Sequence, residues 1–434
     1  MQKKDVLQKW TEAVAETEKS AARKRLATFF DGGSFVELDR FANAKETESA
    51  ASVVAGYGTV DGEPVYAFAQ DTAVCHGAVG MAEAAKIAKV YDLAAQNGAP
   101  VVGLFDSNGA RLVEGLEALD AVAEILAKAN AISGVVPQIA VITGSCVGSA
   151  AMIAASADLV VAAEGAAYYL NPGDDSAKAD VTAKDAEEAL AAARALLAYL
   201  PANNLSVPVA YEPTDLSMNG AEKTAEAVAD AGSYTELSKS TALLRIGGSV
   251  CGAVTMSADD KICCCSAGKI ARFVRFCDAF SIPVVTFVDA AGFECLKGAS
   301  KVAQAYAEAT VAKLSVITGR AYGAVYVAAA GKKTGADAVL AWPESAISAL
   351  APETAVELFW ADRLAEMKDP TADRAKLWEE YKLTECSPLA AAAVGCVTDV
   401  IEPSETKAKL AALLEMLAGK RVSRLPKKHA NIQL

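Results

Sequence analysis

The chain repeats itself, and this repetition constrains its fold more tightly than any single motif. Asp31-Gly-Gly-Ser-Phe-Val-Glu-Leu38 recurs as Asp230-Ala-Gly-Ser-Tyr-Thr-Glu-Leu237. Lys86-Ile-Ala-Lys-Val-Tyr-Asp leads into AQNGAPVVGLFDSNGAR, and Lys269-Ile-Ala-Arg-Phe-Val-Arg leads into DAFSIPVVTFVDAAGFE. In both, the aspartate (Asp106, Asp289) follows the lysine by 20 residues. VPQIAVITGSCVGSAAM returns as VAKLSVITGRAYGAVYV, aligning Gly144 with Gly319 and Gly148 with Gly323. ADLVVAAEGA from Ala157 returns as ADAVLAWPESA from Ala336. Four blocks in one order mark a duplicated domain. The reading divides the chain into a domain over 1–201, a linker over 202–223 with Pro208 and Pro213, and a second domain over 224–434.

Both copies have the same local pattern. A β-rich opening turns at Asp61-Gly62 and near Gly247-Gly248, dipeptides suited to hairpins. MAEAAKIAKVYDLAAQNG has apolar residues at helical spacing and a C-cap candidate in Gly98. Buried strands (PVVGLFD and PVVTFVD, then IAVITG and LSVITG) alternate with turns and helices, which predicts an α/β fold built as a mainly parallel sheet or stacked ββα units. The uncharged stretch from Ala131 to Ala157 could span a bilayer by length, but Gly134, Pro137, Gly144 and Gly148 interrupt it; it reads as a buried strand followed by a helix. Cys263, Cys264 and Cys265 are expected on a strand.

Small residues stand at the strand ends, in DSNGAR, GSCVGSA, DAAGFE and GRAYGAV. They let a ligand approach the main chain, and helix N-termini there offer unpaired amides and a positive dipole end. Such turns can stabilise an oxygen that becomes negative during reaction. Tight helix–sheet packing is the competing explanation for any one of them; four at duplicated positions favour a ligand. The absences narrow the chemistry. Of the two histidines, His429 lies in a solvated basic tail and His76 is expected to satisfy local hydrogen bonds. No nucleophile elbow, phosphate-binding loop or zinc-spaced cysteine pair is present, and no metal is expected. A net charge of -13 argues against nucleic-acid partners. The ten cysteines do not form a secreted framework, and the polar N-terminus lacks a signal peptide, so a cytoplasmic location is expected. Main-chain oxyanion sites with few side-chain catalysts suit enolate chemistry.

These residues resemble a known family. RKRLATFFDGGSFVELD, GYGTVDGEPVYAFAQD, DSNGARLVEG and GSCVGSA, with KIARFVRFCDAFSIPVVTFVDAAGF, YAEATVAKLSVITGRAYGAVY and GADAVLAWPESAI, are similar to the acyl-CoA carboxyltransferases, biotin-dependent members of the crotonase superfamily. The resemblance runs from about Lys24 to about Pro403. It implies two tandem crotonase-like (ββα) domains, the first for the acyl-CoA and the second for biotin, facing each other in a dimer-based homo-oligomer, commonly a hexamer. By motif position, the amides of Gly148 and Ser149 would hold the thioester oxygen, and those of Ala324 and Val325 the biotin ureido oxygen. Asn108, Gly109 and Ala110 would border the acyl-CoA, while Ala291, Gly292 and Gly323 would border biotin.

Met367-Lys368 is not in a biotinyl hairpin context, so a biotin carboxyl carrier protein is expected as a partner. A biotin carboxylase or a membrane decarboxylase subunit would complete the assembly, and any membrane association would come through such partners.

The chain also departs from the family's pattern. Its paired-glycine turns read Asn108-Gly109, Gly148-Ser149 and Gly323-Ala324, and Val327 replaces an aspartate that lines the acyl pocket in many members. The stretches after Tyr169 and after Phe293 are short. Two alternatives stay open: an acyl-CoA hydratase or isomerase acting without biotin, and a noncatalytic assembly subunit.

Overall fold

A computed structural model describes residues 3–42, 51–212, 215–218, 225–257, 261–366 and 370–432. Pro213 and the Met367-Lys368 pair lie outside the described residues. The chain divides into two compact units, Met1–Pro208 and Val209–Leu434.

Unit 1 opens with α1 (Lys3–Thr17) and α2 (Ala21–Phe29), then builds one sheet. Its strands are β1 (Val36–Leu38), β2 (Val53–Val60), β3 (Glu63–Gln70), β4 (Val101–Ser107), β5 (Gln138–Val147), β6 (Leu159–Ala163), β7 (Ala167–Tyr169) and β8 (Val181–Ala183). The order is β1-β2-β3-β4-β5-β6-β8, with β7 also paired to β5. The first three strands run antiparallel and the rest parallel. Asp61 (φ 52) and Gly62 (φ 86) form the left-handed turn between β2 and β3, whose twist matches a hairpin. Every residue of β4 is buried, as a parallel strand covered on both faces requires.

Four helices complete the unit: α3 (Met81–Asn97), α4 (Glu117–Ala131), α5 (Ser149–Ala155) and α6 (Ala186–Leu197). α3 ends on Gly98 at φ 63 and ψ 44. Ile87 and Val90 of α3 join Ile125 of α4 and Phe68 and Phe105 of the sheet in one core. Burial of each such side chain stabilises the fold by about 1.5–3 kcal/mol.

Unit 2 repeats this plan. β9 (Thr235–Ser238), β10 (Thr241–Ile246), β11 (Ser249–Ser257), β13 (Val284–Ala290), β15 (Lys313–Tyr322), β16 (Ala338–Ala341) and β18 (Asp399–Val400) form one sheet, with β17 (Ala346–Ser348) paired to β15. β12 (Lys261–Ile262) and β14 (Gly292–Phe293) form a separate two-stranded sheet. Gly247 (φ 57) and Gly248 (φ 81) reproduce the hairpin turn. α7 (Cys264–Ala279) and α8 (Leu296–Glu308) flank the sheet. A π-helical turn (Tyr326–Ala330), α9 (Pro352–Phe359), α10 (Ala361–Ala365), α11 (Pro370–Thr384), α12 (Pro388–Ala393) and α13 (Thr406–Leu417) follow.

One expectation is corrected here. Cys263–Cys265 are not on a strand: β12 ends at Ile262, and Cys263 caps α7, its Sγ accepting from the Ser266 amide at 3.4 Å. The apolar residues beyond it (Ala267, Ile270, Ala271, Val274) recur at helical spacing and are buried, and that period governs the segment from its first turn. Within 131–157, β5 and α5 account for the apolar stretch, and no helix among the described residues is long and apolar enough to cross a membrane.

Candidate active site

The two glycine turns have matching geometry. β5 runs into Gly148, at φ 61 and ψ -129, before α5 begins at Ser149. β15 runs into Gly323, at φ 45, before a helical turn begins at Ala324. The Gly148 amide donates to Tyr169 O at 3.0 Å, and the Gly323 amide to Ser348 O at 2.9 Å. Each glycine amide is therefore engaged by the strand returning beside it, including that of Gly148 in the expected pair Gly148 and Ser149. Ser149 and Ala150 in unit 1, and Ala324 and Val325 in unit 2, open their helical turns with amides that have no acceptor among the described residues. That is the usual condition of a helix start. At these two turns the left-handed φ falls on Gly148 and Gly323, so serine and alanine are tolerated after them without strain.

In unit 1 the turn after β4 closes on this helix start. A Cβ on Gly109 (φ +96) would lie 3.1 Å from Val147 O, 3.6 Å from Ser149 Oγ and 3.8 Å from Ser149 N. Asn108 is exposed and Ala110 half-buried. The segment before α3 holds the turn in place: Val79 N donates to Gly109 O, and Arg111 N to Val79 O, both at 2.8 Å. Glu83 is fully buried; its Oε1 accepts from Arg111 Nη2 at 2.6 Å and Ser52 N at 2.9 Å, and its Oε2 from Gly80 N at 3.0 Å. One carboxylate thus caps α3 and anchors the segment leaving the turn.

In unit 2, Ala291 packs against the cluster of Tyr322, Ala346 and Cys386, beside Gly323. Gly292 pairs with Lys261, and a Cβ on Gly323 would stand 2.9 Å from Ala349 O. Val327 is 55% exposed on the first helical turn, its amide donating to Gly323 O at 3.1 Å. An exposed valine in that place presents apolar surface where a carboxylate would have presented charge.

Asp106 and Asp289, at matching positions in the two units, anchor the backbone beside the site turns. Each sits where its strand slips register against the next, between Phe105 and Ser107 and between Val288 and Ala290. Asp106 Oδ1 accepts from Ser145 N at 3.2 Å while Oδ2 pairs with Arg25 at 2.8 Å. Asp289 Oδ1 accepts from Arg320 N and Nε, both at 3.0 Å. Gly144 and Gly319 lie directly against these carboxylates, leaving no room for a Cβ. The duplicated lysine-to-aspartate spacing was the available signal.

His76 has no hydrogen-bond partner for its ring among the described residues. It is exposed at φ 54 between Cys75 (φ 48) and Gly77 (φ 67), and its carbonyl accepts from Asn108 N at 3.2 Å. A side chain on Gly77 would collide with Asp106 O. Burial, then Asp106, pushes the Cys146 thiol up, and burial pushes Tyr322 up to about 12. Neither group can exchange protons readily near neutral pH. No cluster of three metal-ligating side chains occurs among the described residues.

The fold defines the class: a duplicated-domain α/β protein whose two units each present helix-start amides behind a left-handed glycine. The carboxyl transferase domain matches residues 14–181 and again 173–432. The chain belongs to that family. It is 35% identical to the methylmalonyl-CoA decarboxylase subunit alpha of Propionigenium modestum, over 96% of this chain and 93% of that one. It is also 35% identical to the propionyl-CoA carboxylase beta chain of Saccharopolyspora erythraea, over 96% and 91%. The crystal structure of transcarboxylase 12S, a hexamer with methylmalonyl-coenzyme A and methylmalonic acid bound, matches at TM-score 0.90 and 30% identity over 100% of both chains.

Proposed function

We propose that this chain is a carboxyltransferase subunit that moves a carboxyl group between biotin held on a separate carrier protein and an acyl-CoA of the methylmalonyl or propionyl type. The observation that carries the reading is the pair of helix starts with unengaged amides, one in each unit.

In unit 1, the amides of Ser149 and Ala150 hold the thioester oxygen while negative charge moves onto it from the α-carbon. Asn108, Gly109 and Ala110 border the acyl group. Charge on that oxygen is stabilised by donors already in place, each contributing about 2.7–4 kcal/mol by analogy with other oxyanion sites. In unit 2, Ala291, Gly292 and Gly323 border the biotin, and the amides of Ala324 and Val325 are unengaged, a donor set that fits its ureido oxygen. When bound, biotin supplies a ring nitrogen that carries the carboxyl group. Val327, apolar and exposed on the helical turn after Gly323, offers the unit 2 site no charge. A biotin carboxylase or a membrane decarboxylase subunit completes the assembly, and its identity sets the direction of transfer.

Proline at the first helical position removes the amide while keeping helical φ, so Ser149→Pro and Ala324→Pro test the reading. With biotinylated carrier and methylmalonyl-CoA, each variant should lose about 100- to 1000-fold in kcat with little change in circular dichroism. Wild-type rates in both variants would overturn it.

A further inference from the structure

The two units tie their helix starts to their site turns by different chemistry. Counted from Lys86 and Lys269, Gly80 corresponds to Cys263, Val79 to Ile262, Ala110 to Phe293, Arg111 to Glu294 and Leu112 to Cys295. The backbone agrees: Val79 bridges Ala110, and Ile262 pairs with Phe293. In unit 1 the tie between the first turn of α3 and the segment leaving the site turn is the buried Glu83–Arg111 ion pair. In unit 2 those positions are Ser266 and Glu294, which cannot repeat it. Cys264 and Cys295, joined by a disulfide with Cα atoms 5.9 Å apart, connect the same two segments.

We propose that Cys264 and Cys295 are a thiol–disulfide exchange site, closed and opened by a low-molecular-weight disulfide and its thiol, which makes the anchoring of the Ala291–Phe293 turn redox-dependent. In closure, the Cys264 thiolate attacks one sulfur of the small disulfide, forming a mixed disulfide and releasing one small thiolate. The Cys295 thiolate then attacks the Cys264 sulfur and expels the second. Two protein thiols lose two protons and two electrons, and one small disulfide becomes two thiols; opening is the reverse.

The surroundings select this pair. Cys264 is exposed, and Cys295 caps α8, its Sγ accepting from Gly298 N at 3.2 Å, which favours a thiolate. The neighbouring exposed Cys263 thiol is held below its ordinary value by hydrogen bonds with Ser266. By contrast, burial pushes the thiols of Cys251 and Cys277 up, which keeps them inert. The exchange chemistry stands apart from the proposed function, whereas its effect on carboxyl transfer rests on that reading.

The full chain, treated with oxidised glutathione or with dithiothreitol, is alkylated and mapped by mass spectrometry. Cys264 and Cys295 should be linked after the first treatment, alkylated after the second, and relinked when the oxidant is restored. The Glu294 amide, which donates to Ile262 O at 2.9 Å, should exchange hydrogen about tenfold faster when reduced. Cys264→Ser should abolish that redox difference. Full alkylation under oxidant, a Cys295 link to Cys263 or Cys265, or exchange indifferent to redox state would overturn the proposal. If linkage and exchange behave as stated but carrier-concentration dependence does not differ between the states, the disulfide stands and the biotin-side reading fails.

Discussion

At the residue scale, the motif that first reveals the duplication does structural work. Asp31 accepts from Gly62 N at 3.0 Å, Asp61 N at 3.1 Å and Thr59 Oγ1 at 2.9 Å, and pairs with Arg194 at 2.9 Å. The Gly62 amide first, and Arg194 next, hold its carboxyl well below the usual carboxylate range. Asp230 repeats the clamp on Gly247 N (3.1 Å) and Gly248 N (2.7 Å), with Lys407 at 3.0 Å as its cation. Both Asp230 and Lys407 are buried, so Asp230→Ala strands an ammonium and two turn amides. A loss of about 3–5 kcal/mol is expected in urea unfolding. Lys313 behaves oppositely. Burial, then the nearby Lys420, lowers its pKa from 10.5 to about 8, although its Nζ donates to the carbonyls of Tyr306 and Ala309. The unfolded chain holds the extra proton between those values, so stability rises with pH from about 8 to about 10.5 and is lost as pH falls back through 8. The unfolding free energy of wild type relative to Lys313→Met should grow across that window.

At the element scale, α3 shows how a cap becomes a site support. Gly80 has no side chain to cap with, and Glu83 closes the box from within the helix. Because the same carboxylate holds Arg111, which is 4% exposed, Glu83→Gln should destabilise unit 1 by about 3 kcal/mol. If the turn borders the acyl-CoA as proposed, the variant should also raise KM for the acyl-CoA more than it lowers kcat, measured by steady-state kinetics. The helix itself was legible: apolar spacing, the C-cap at Gly98 and the hairpin at Asp61-Gly62 are local rules. Cys263–Cys265 differ from the strand expected of them because three consecutive cysteines carry weak preferences of their own. Only the buried face from Ala267 onward decides that segment.

At the scale of the whole molecule, duplication would let one plan serve the two ligands proposed above. The sheet orders agree strand for strand, yet the helix after β15 gives way to a π-helical turn and four further short helices precede α13. In solution the chain should sediment as a hexamer, the state of transcarboxylase 12S; a monomer in analytical ultracentrifugation would contradict this.

The repeat blocks, the hairpin glycines and the strand-ending turns follow from local conformational preference, and the sequence alone determined them. The expectation of few side-chain catalysts likewise rests on which residues the chain contains. Which amides remain open was decided only in three dimensions. Gly148 and Gly323 lose theirs to Tyr169 and Ser348, residues about two dozen positions away that pairing of β7 and β17 with the long strands brings alongside. The meeting of Glu83 with Arg111, and of Cys264 with Cys295, is likewise a product of tertiary packing, because no local rule reaches across that much chain.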